Sequence, residues 1–256
     1  MVELHAGDAT VLVSPVSGGR VASIEVGGDE LLVTGAPGDD PLLWGSYPMA
    51  PYAGRIRHGR FAWDGRTIRL PVNLEPHAIH GSGFVSAWDV LDEGLDHCEL
   101  QTALSWSLGG KAHQHLQLTP DALVCVLTVT ADSDPMPVTL GWHPWFRKPL
   151  SADLRFEQMY AKDDEGIPTG ELVAPRPEPW DDCFVRPIAP LVMQVTPLVE
   201  VTVSSDCDHW VVYTAPEHAT CVEPQSGPPD AVNLGTATVL LPGEMLQRTM
   251  TISWRR

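Results

Sequence analysis

The sequence predicts an all-β fold: one antiparallel β-sandwich domain that spans residues 1–256. Three observations support this prediction. The chain contains 24 prolines and 22 glycines spread along its whole length. No stretch keeps the repeat of an amphipathic helix, and short runs of β-branched and aromatic residues alternate with turn residues. Because no Ser/Gly-rich linker or block of charge divides the chain, we expect a single domain.

The first third of the chain has the pattern of hairpins joined by glycine-rich turns. Within it, residues 42–60 are rich in Pro, Trp and Tyr and show no clear period. They are predicted to form loops, which often carry functional residues. The other elements expected here are strands at residues 9–14, 21–26 and 31–34, and a hairpin over residues 61–70 that turns at Asp64-Gly65.

The middle of the chain contains two runs with strong β propensity, at residues 121–131 and 137–141. The segment 151–190 is rich in proline and acidic residues, and it is predicted to be irregular and to cross the edge of a sheet. Strands are expected again at residues 197–204, 210–214 and 239–253, the last with a turn at Pro242-Gly243.

The charge balance excludes some classes of partner. Sixteen basic residues against 33 acidic ones give a formal charge of −17, which would repel a nucleic acid backbone or an anionic membrane surface. A neutral, polar small molecule is unaffected by this charge. We expect a monomer or a homodimer.

The cysteines and the N-terminus predict a cytoplasmic protein. The 5 cysteines are scattered without a CxxC pair, and an odd number is typical of a reducing compartment. The first residues lack the basic start and apolar core of a secretory signal. No run approaches the roughly 20 apolar residues of a membrane-spanning helix.

The stretch Cys221–Asn233 is a candidate catalytic segment. Residues 220–222 predict the end of a buried strand, and Pro224 with the Gly-Pro-Pro that follows predicts a turn that ends it. Glu223 is therefore expected at a strand end, facing a cleft. Apolar neighbours would raise the pKa of this carboxyl towards neutrality, where a general base is most effective. The alternative is a glutamate in an ordinary surface loop.

Three other residues stand in contexts that suit a ligand site. Arg55 follows Pro-Tyr-Ala-Gly and can present a planar fork of donors, or it can pair with one of the many carboxylates. His80 precedes Gly-Ser-Gly, which permits close approach of the backbone to a ligand, whereas His77 is expected at the surface. His143 ends a buried strand between aromatic residues, as a site residue or as a hydrogen-bonded core histidine.

His113 and His115 share one face of a predicted strand, because side chains two residues apart point the same way. Such a pair can begin a metal site. No third ligand stands at a motif spacing, so a solvated strand face is the expected arrangement. We predict no bound metal and no other cofactor.

Five runs along the chain carry a family resemblance. They are Tyr47-Pro-Met-Ala-Pro-Tyr-Ala-Gly-Arg-Ile56, Ala78-Ile-His-Gly81, Gly141-Trp-His-Pro-Trp-Phe146, Asp181-Asp-Cys-Phe184, and Val222-Glu-Pro with Pro228-Pro229 and Asn233. In this order they resemble the signature segments of the aldose 1-epimerases, or galactose mutarotases, and the resemblance extends from about residue 10 to the end of the chain. It departs at Gly54, where family members often carry Asn, so one polar contact is expected to be missing or supplied elsewhere.

The resemblance implies a fold, a reaction and a set of residues. The fold is a mutarotase-like supersandwich with an open cleft, and the reaction interconverts the α and β anomers of a free aldose such as glucose or galactose without a cofactor. Glu223 matches the catalytic base and His143 the catalytic acid, and the residues that match substrate-binding positions are Arg55, His80 and Asp181.

Asp181 owes its assignment to its position three residues before Phe184, which Asp182 does not share. A carboxylate there can accept hydrogen bonds from two hydroxyl groups and fix the orientation of a sugar ring. Because Asp is common in turns and at helix N-termini, a purely structural aspartate is the alternative.

Three other functions remain open at this point. The first is a hexose-6-phosphate epimerase of the same fold. The second is a sugar-binding module without catalysis. The third is a cupin-like metal enzyme that uses His113 and His115.

Overall fold

The computed structural model describes all 256 residues and consists mainly of short strands. In chain order the first thirteen are β1 (Val2–Ala6), β2 (Ala9–Ser14), β3 (Arg20–Val26), β4 (Asp29–Glu30), β5 (Ser46–Met49), β6 (Arg55–Ile56), β7 (Arg60–Trp63), β8 (Arg66–Arg69), β9 (Ala78–Ile79), β10 (Asp89–Glu93), β11 (His97–Ala103), β12 (Lys111–Thr119) and β13 (Ala122–Thr130). The remainder are β14 (Met136–Val138), β15 (Gly141–Arg147), β16 (Ser151–Asp153), β17 (Phe156–Lys162), β18 (Pro168–Val173), β19 (Asp181–Pro187), β20 (Leu191–Gln194), β21 (Glu200–Ser205), β22 (His209–Tyr213), β23 (Ala219–Gln225), β24 (Thr238–Leu240) and β25 (Met245–Arg255).

The helical content is small. It comprises one short α-helix, α1 (Ala231–Leu234), and 3-10 turns at Pro15–Ser17, Arg57–Gly59 and Gly83–Val85. None of these helices has the length and apolar character needed to cross a membrane. All 5 cysteines are buried and free of disulfide bonds.

Two large antiparallel sheets form the molecule. The larger has 11 strands in the order β1-β2-β3-β5-β15-β23-β22-β19-β17-β18, with β4 paired to β3. The smaller has 8 strands in the order β10-β11-β12-β13-β25-β21-β20-β16. Two-stranded ribbons pair β14 with β24, β6 with β9 and β7 with β8. The predicted antiparallel β-sandwich is confirmed.

Alternating side chains build the main core. In β12 and β13 every second residue is buried, as expected for strands with one covered face. A cluster of 54 buried residues, from Val2 to Trp254, draws on both large sheets. Burial of this apolar surface makes the largest favourable contribution to the stability of the fold.

A second, smaller cluster covers the opposite face of the larger sheet. In β15, Trp142 and Phe146 join the main core, whereas Trp145 belongs to a separate group of 7 buried residues. That group also includes Tyr47 on β5 and Cys221 on β23. Because period-2 alternation assigns side chains to faces, residues 143, 223 and 181 lie on the same face as this second cluster.

Several predictions of local structure are wrong. Residues 151–190 contain four strands, β16 to β19, and are not irregular. Residues 31–34 make only an isolated bridge between Leu32 and Phe146, and the region 42–60 contains the ordered strands β5 and β6. Proline was the misleading signal, since Pro48, Pro144 and Pro224 lie within paired strands. The hairpin at 61–70 is confirmed, with Asp64 and Gly65 at positive φ.

Arg20 joins three segments beneath the second cluster. Its side chain is fully buried, forms no ion pair, and donates to the carbonyl oxygens of Ser17, Trp44 and Phe84 at 2.6, 2.9 and 3.1 Å. The guanidinium also lies 4.2 Å from the ring centre of Trp44 and 5.1 Å from that of Tyr47. Burial lowers its pKa to about 10, so it stays charged at neutral pH.

We expect Arg20→Met to lower the free energy of unfolding by about 2–4 kcal/mol, because three buried carbonyl groups lose a charged donor. Urea unfolding followed by tryptophan fluorescence measures this loss. Arg69→Met is the matched control, since Arg69 is exposed on β8 and its loss should stay within about 0.5 kcal/mol. Equal effects of the two substitutions would show that Arg20 anchors nothing.

Candidate active site

A cavity of about 210 Å³ lies on the face of the larger sheet that carries the second cluster. Its wall includes the apolar or aromatic side chains of Leu42, Leu74, Tyr47, Trp145 and Tyr213. The structure brings together all five residues predicted from the sequence, since the same cavity is lined by Arg55, His80, His143, Asp181 and Glu223.

The register of two neighbouring strands, β15 and β23, places His143 beside Glu223. On β15 and β23 the paired residues are Gly141 with Gln225 and then Trp145 with Cys221, so His143 and Glu223 face each other midway. Pro144 and Pro224 have no N–H, and the ladder is interrupted between these pairs. The side chains meet there, with Nε2 of His143 3.2 Å from Oε1 of Glu223.

Glu223 lies inside its strand, so the predicted strand end at this residue is wrong. Strand β23 does not end before Pro224; it continues through Pro224, paired with Trp210, to Gln225. Glu223 is therefore an interior strand residue with 2% exposure and not a residue at a strand end. Proline is tolerated here because its missing N–H falls where the ladder to β15 is already interrupted.

The acid and base candidates share a water-poor environment. Burial, reinforced by the charge of Asp181, raises the pKa of Glu223 well above its ordinary value. Burial also lowers the pKa of His143 to about 3. Each group by itself favours its uncharged form, and at 3.2 Å the two can share one proton.

Aromatic rings fix the orientation of His143. Tyr47, its register partner on β5, stacks on the imidazole with centroids 4.8 Å apart, and Trp145 also stacks on it at 5.3 Å. Sequence reasoning named neither ring as a site residue. The signal was present, because Trp145 lies two residues from His143 and must share its face of the strand.

The ribbon of β6 and β9 holds Arg55 and His80 over the sheet. Arg55 pairs with Ile79 in this ribbon, and His80 follows directly with a positive φ of 64°, a conformation that is uncommon outside glycine and often found at functional sites. Across the cavity, Arg55 donates from Nη2 to Oδ2 of Asp181 at 3.0 Å.

A backbone hydrogen bond fixes the tautomer of His80. The N–H of Gly54 donates to Nδ1 of His80 at 3.3 Å, so the proton of the neutral ring lies on Nε2. Burial, together with the charges of His143 and Arg55, holds the pKa of His80 well below its ordinary value. His80 is therefore a neutral donor at the cavity wall.

Neighbouring aspartates face opposite sides of β19. Asp181 lines the cavity, whereas Asp182 is 1% exposed and pairs with Lys162 at 3.0 Å and with Arg176 at 2.5 Å. Lys162 also donates to the backbone oxygen of Asp181 at 2.5 Å. Asp182 thus joins β19 to Lys162 and Arg176 through ion pairs. Asp181 faces the cavity.

Ligating atoms of His80, His143 and Glu223 lie within 4.8 Å of one another, a set that resembles a metal site. The contact from Gly54 N–H disfavours that use, because it takes the single lone pair that a neutral His80 ring offers. A metal-bound histidine instead donates its second N–H to an acceptor. The donor chemistry therefore suits hydrogen bonding to a substrate better than metal binding.

The remaining histidine predictions have mixed outcomes. His113 and His115 lie partly exposed on β12 and both face Glu99, with N–O distances of 3.3 and 3.5 Å. Strand β12 belongs to the smaller sheet, and neither histidine lines the cavity. His77 was expected at the surface, but it is 3% exposed. Its Nδ1 accepts a hydrogen bond from the N–H of His58 at 3.2 Å, which accounts for its burial.

Two antiparallel sheets of this order, with a cavity over the larger one, form a galactose mutarotase-like fold. Residues 1–253 match the family model described as aldose 1-epimerase. The chain therefore belongs to the aldose 1-epimerase family.

Individual relatives support the fold. A galactose mutarotase-like protein from Clostridium acetobutylicum superposes with a TM-score of 0.88 and 19% identity, covering 99% of this chain and 94% of that one. Galactose 1-epimerase from Lactobacillus acidophilus gives a TM-score of 0.81 and 16% identity, covering 98% and 92%. The Escherichia coli K12 protein YphB, described as uncharacterized, is 32% identical over 155 residues, which are 58% of this chain. The matched region spans only 52% of YphB.

Gly54 lies too close to the turn after β23 to carry a side chain. Gly54 adopts a φ of +70°, and a Cβ there would lie 2.9 Å from both Cβ and Cγ of Pro229. Asn tolerates this φ, but its Cβ would meet the same proline. The space that an asparagine would need is occupied by the turn after β23.

We expect Gly54→Ala to destabilise the protein by about 1–3 kcal/mol more than Gly65→Ala. Gly65 has nearly the same φ, +68°, but nothing lies within 4 Å of a Cβ there, so its substitution measures backbone strain alone, about 1–2 kcal/mol. Thermal unfolding of both variants measures the difference. Equal losses would mean that Pro229 yields freely and does not exclude a side chain at residue 54.

Proposed function

We propose that this protein is an aldose 1-epimerase that interconverts the anomers of a free, uncharged aldose. The observation that carries the proposal is the 3.2 Å contact between His143 and Glu223 inside the cavity. The reaction exchanges protons at two oxygens, the C1 hydroxyl and the ring oxygen, and both are bonded to C1. An acid and a base that lie side by side can therefore reach both oxygens of one substrate.

The proposed mechanism transfers two protons, one to Glu223 and one from His143. With the shared proton on His143, the ionised Glu223 takes the proton of the C1 hydroxyl while His143 protonates the ring oxygen. The bond from C1 to the ring oxygen breaks, and the aldehyde forms. Rotation about C1–C2 exposes the other carbonyl face, and closure returns both protons with the roles reversed. No net proton is gained or lost, so no cofactor is needed.

The other cavity residues would bind and orient the sugar. Arg55 and the Nε2–H of His80 are donors suited to the charge that develops at the ring oxygen. Asp181, paired with Arg55, would accept hydrogen bonds from the sugar hydroxyls and fix the orientation of the ring. Tyr47 and Trp145 would pack against C–H faces and hold His143 in place, while their bulk excludes water.

The charges of the cavity favour a free sugar over a phosphorylated one. Its single cationic side chain, Arg55, is already paired with Asp181 at 3.0 Å. Two carboxylates, Asp181 and Glu223, line the same space. A phosphate would have to displace that ion pair and approach a protein of formal charge −17, so a hexose-6-phosphate epimerase is the less supported alternative.

Polarimetry of freshly dissolved sugars tests the proposal. We expect the protein to accelerate the mutarotation of α-glucose or α-galactose, and to leave glucose 6-phosphate near its rate in buffer. The acid and the base can each supply roughly 10²–10⁴-fold. Faster turnover of the phosphorylated sugar would favour the hexose-6-phosphate alternative. Calorimetric binding of a free sugar without acceleration would instead indicate a binding module.

A further inference from the structure

Gln225 lies beside the proposed base and has no assigned role. It is two residues after Glu223 on β23, so both side chains lie on the same face of the strand. Its Nε2 donates to Oε2 of Glu223 at 3.2 Å, and it lines the same cavity. The two carboxylate oxygens therefore have different partners: Oε1 faces His143, which titrates, and Oε2 faces an amide, which does not.

The fold makes room for this amide. Gly141 is the register partner of Gln225 on β15, and a Cβ at residue 141 would lie 3.2 Å from Cγ of Gln225 and 2.3 Å from the oxygen of Pro224. Gln225 is fully buried, and its Oε1 has no hydrogen-bond partner. An unsatisfied buried amide oxygen lowers stability. A role of the amide nitrogen in a functional site accounts for such a cost.

The orientation of the amide distinguishes the two forms of the base. With Nε2 towards Glu223, the amide offers a donor, and an ionised carboxylate oxygen accepts it more strongly than the carbonyl oxygen of a protonated carboxyl does. The opposite orientation would present Oε1, which suits a protonated carboxyl. Hydrogen bonding to the charged form favours that form. The contact therefore opposes burial, which favours the uncharged carboxyl.

We propose that Gln225 is a positioning residue that holds Glu223 as an ionised base, orienting Oε1 towards His143 and the reacting oxygens. This inference rests on the proposed function, in which Glu223 accepts the proton of the C1 hydroxyl. It assigns Gln225 no contact with the reacting atoms. Its effect is on the fraction of Glu223 that is ionised at a given pH.

No other group that faces Glu223 can replace Gln225 in stabilising the ionised carboxylate. Strand β22 presents the apolar Val211 to it. Asp181 repels the negative charge of Glu223, and Arg55, which attracts it, is paired with Asp181. Two buried thiols, Cys183 and Cys221, are held protonated by burial, which raises the pKa of each. The other titratable groups on this side are His143, His80, Tyr47 and Tyr213.

The test compares Gln225→Met with wild type. Methionine keeps the size of the side chain but has no donor, so the ionised form of Glu223 loses its partner and the pKa of Glu223 rises. Because the base must be ionised, the acidic limb of the mutarotation pH profile should move upwards by about 1–2 pH units. Carbon-13 NMR titration of the Glu223 carboxyl, assigned by its loss in Glu223→Gln, should show the same shift without any substrate.

Gln114→Met is the matched control. Gln114 is also a buried amide, donating to the oxygen of Gly19 at 2.7 Å and accepting from Trp142 at 3.2 Å, but it does not line the cavity. Gln114→Met should lower stability and leave both the acidic limb of the pH profile and the titration of Glu223 unchanged. A Gln225→Met protein that folds, loses activity and keeps both unchanged would overturn the proposal.

Two further outcomes distinguish a failure of the Gln225 proposal from a failure of the proposed function. If Gln225→Met does not fold, Gln225→Glu keeps the shape and should move the Glu223 titration upwards through like-charge repulsion; an unmoved titration would overturn the proposal. If the wild type accelerates no sugar, the proposed function fails. The NMR titration of Gln225→Met then still decides whether Gln225 holds Glu223 ionised.

Discussion

The contact between His143 and Glu223 depends on an interruption in the middle of the larger sheet. Two central strands normally bond along their whole length, and prolines are excluded from them. Here Pro144 and Pro224 fall in the same gap of the ladder between β15 and β23. The two side chains meet across that gap, each buried and each flanked by residues of the second cluster.

The residues around this pair orient the imidazole and supply hydrogen-bond donors. Tyr47 and Trp145 enclose the imidazole, and Arg20 lies behind Tyr47 with three carbonyl partners. The β6–β9 ribbon adds Arg55 and the neutral donor His80. Burial alone would leave both members of the pair uncharged, so donors such as these, and the amide of Gln225, are needed to stabilise the ionised arrangement that the proposed reaction uses.

Much of this molecule could be predicted from the sequence. Short strands and turn residues gave the fold class, and motif resemblance named five residues that line one cavity. Strand bounds around proline failed, because a missing N–H is harmless where a ladder is interrupted, and only tertiary structure shows that interruption. The same error hid Gln225: ending the strand at Pro224 removed the i, i+2 relation that places its amide beside Glu223.

Polarimetry of Glu223→Gln, His143→Asn and the double variant tests the central claim most directly. Gln cannot accept the proton and Asn cannot give one up, so each single substitution should cost on the order of 10²–10⁴ in the catalysed rate. Residues that act as a unit are strongly non-additive, so the double variant should be little worse. Glu171→Gln, exposed on β18, should behave as wild type. A Glu223→Gln protein that retains activity within about threefold of wild type would contradict the account.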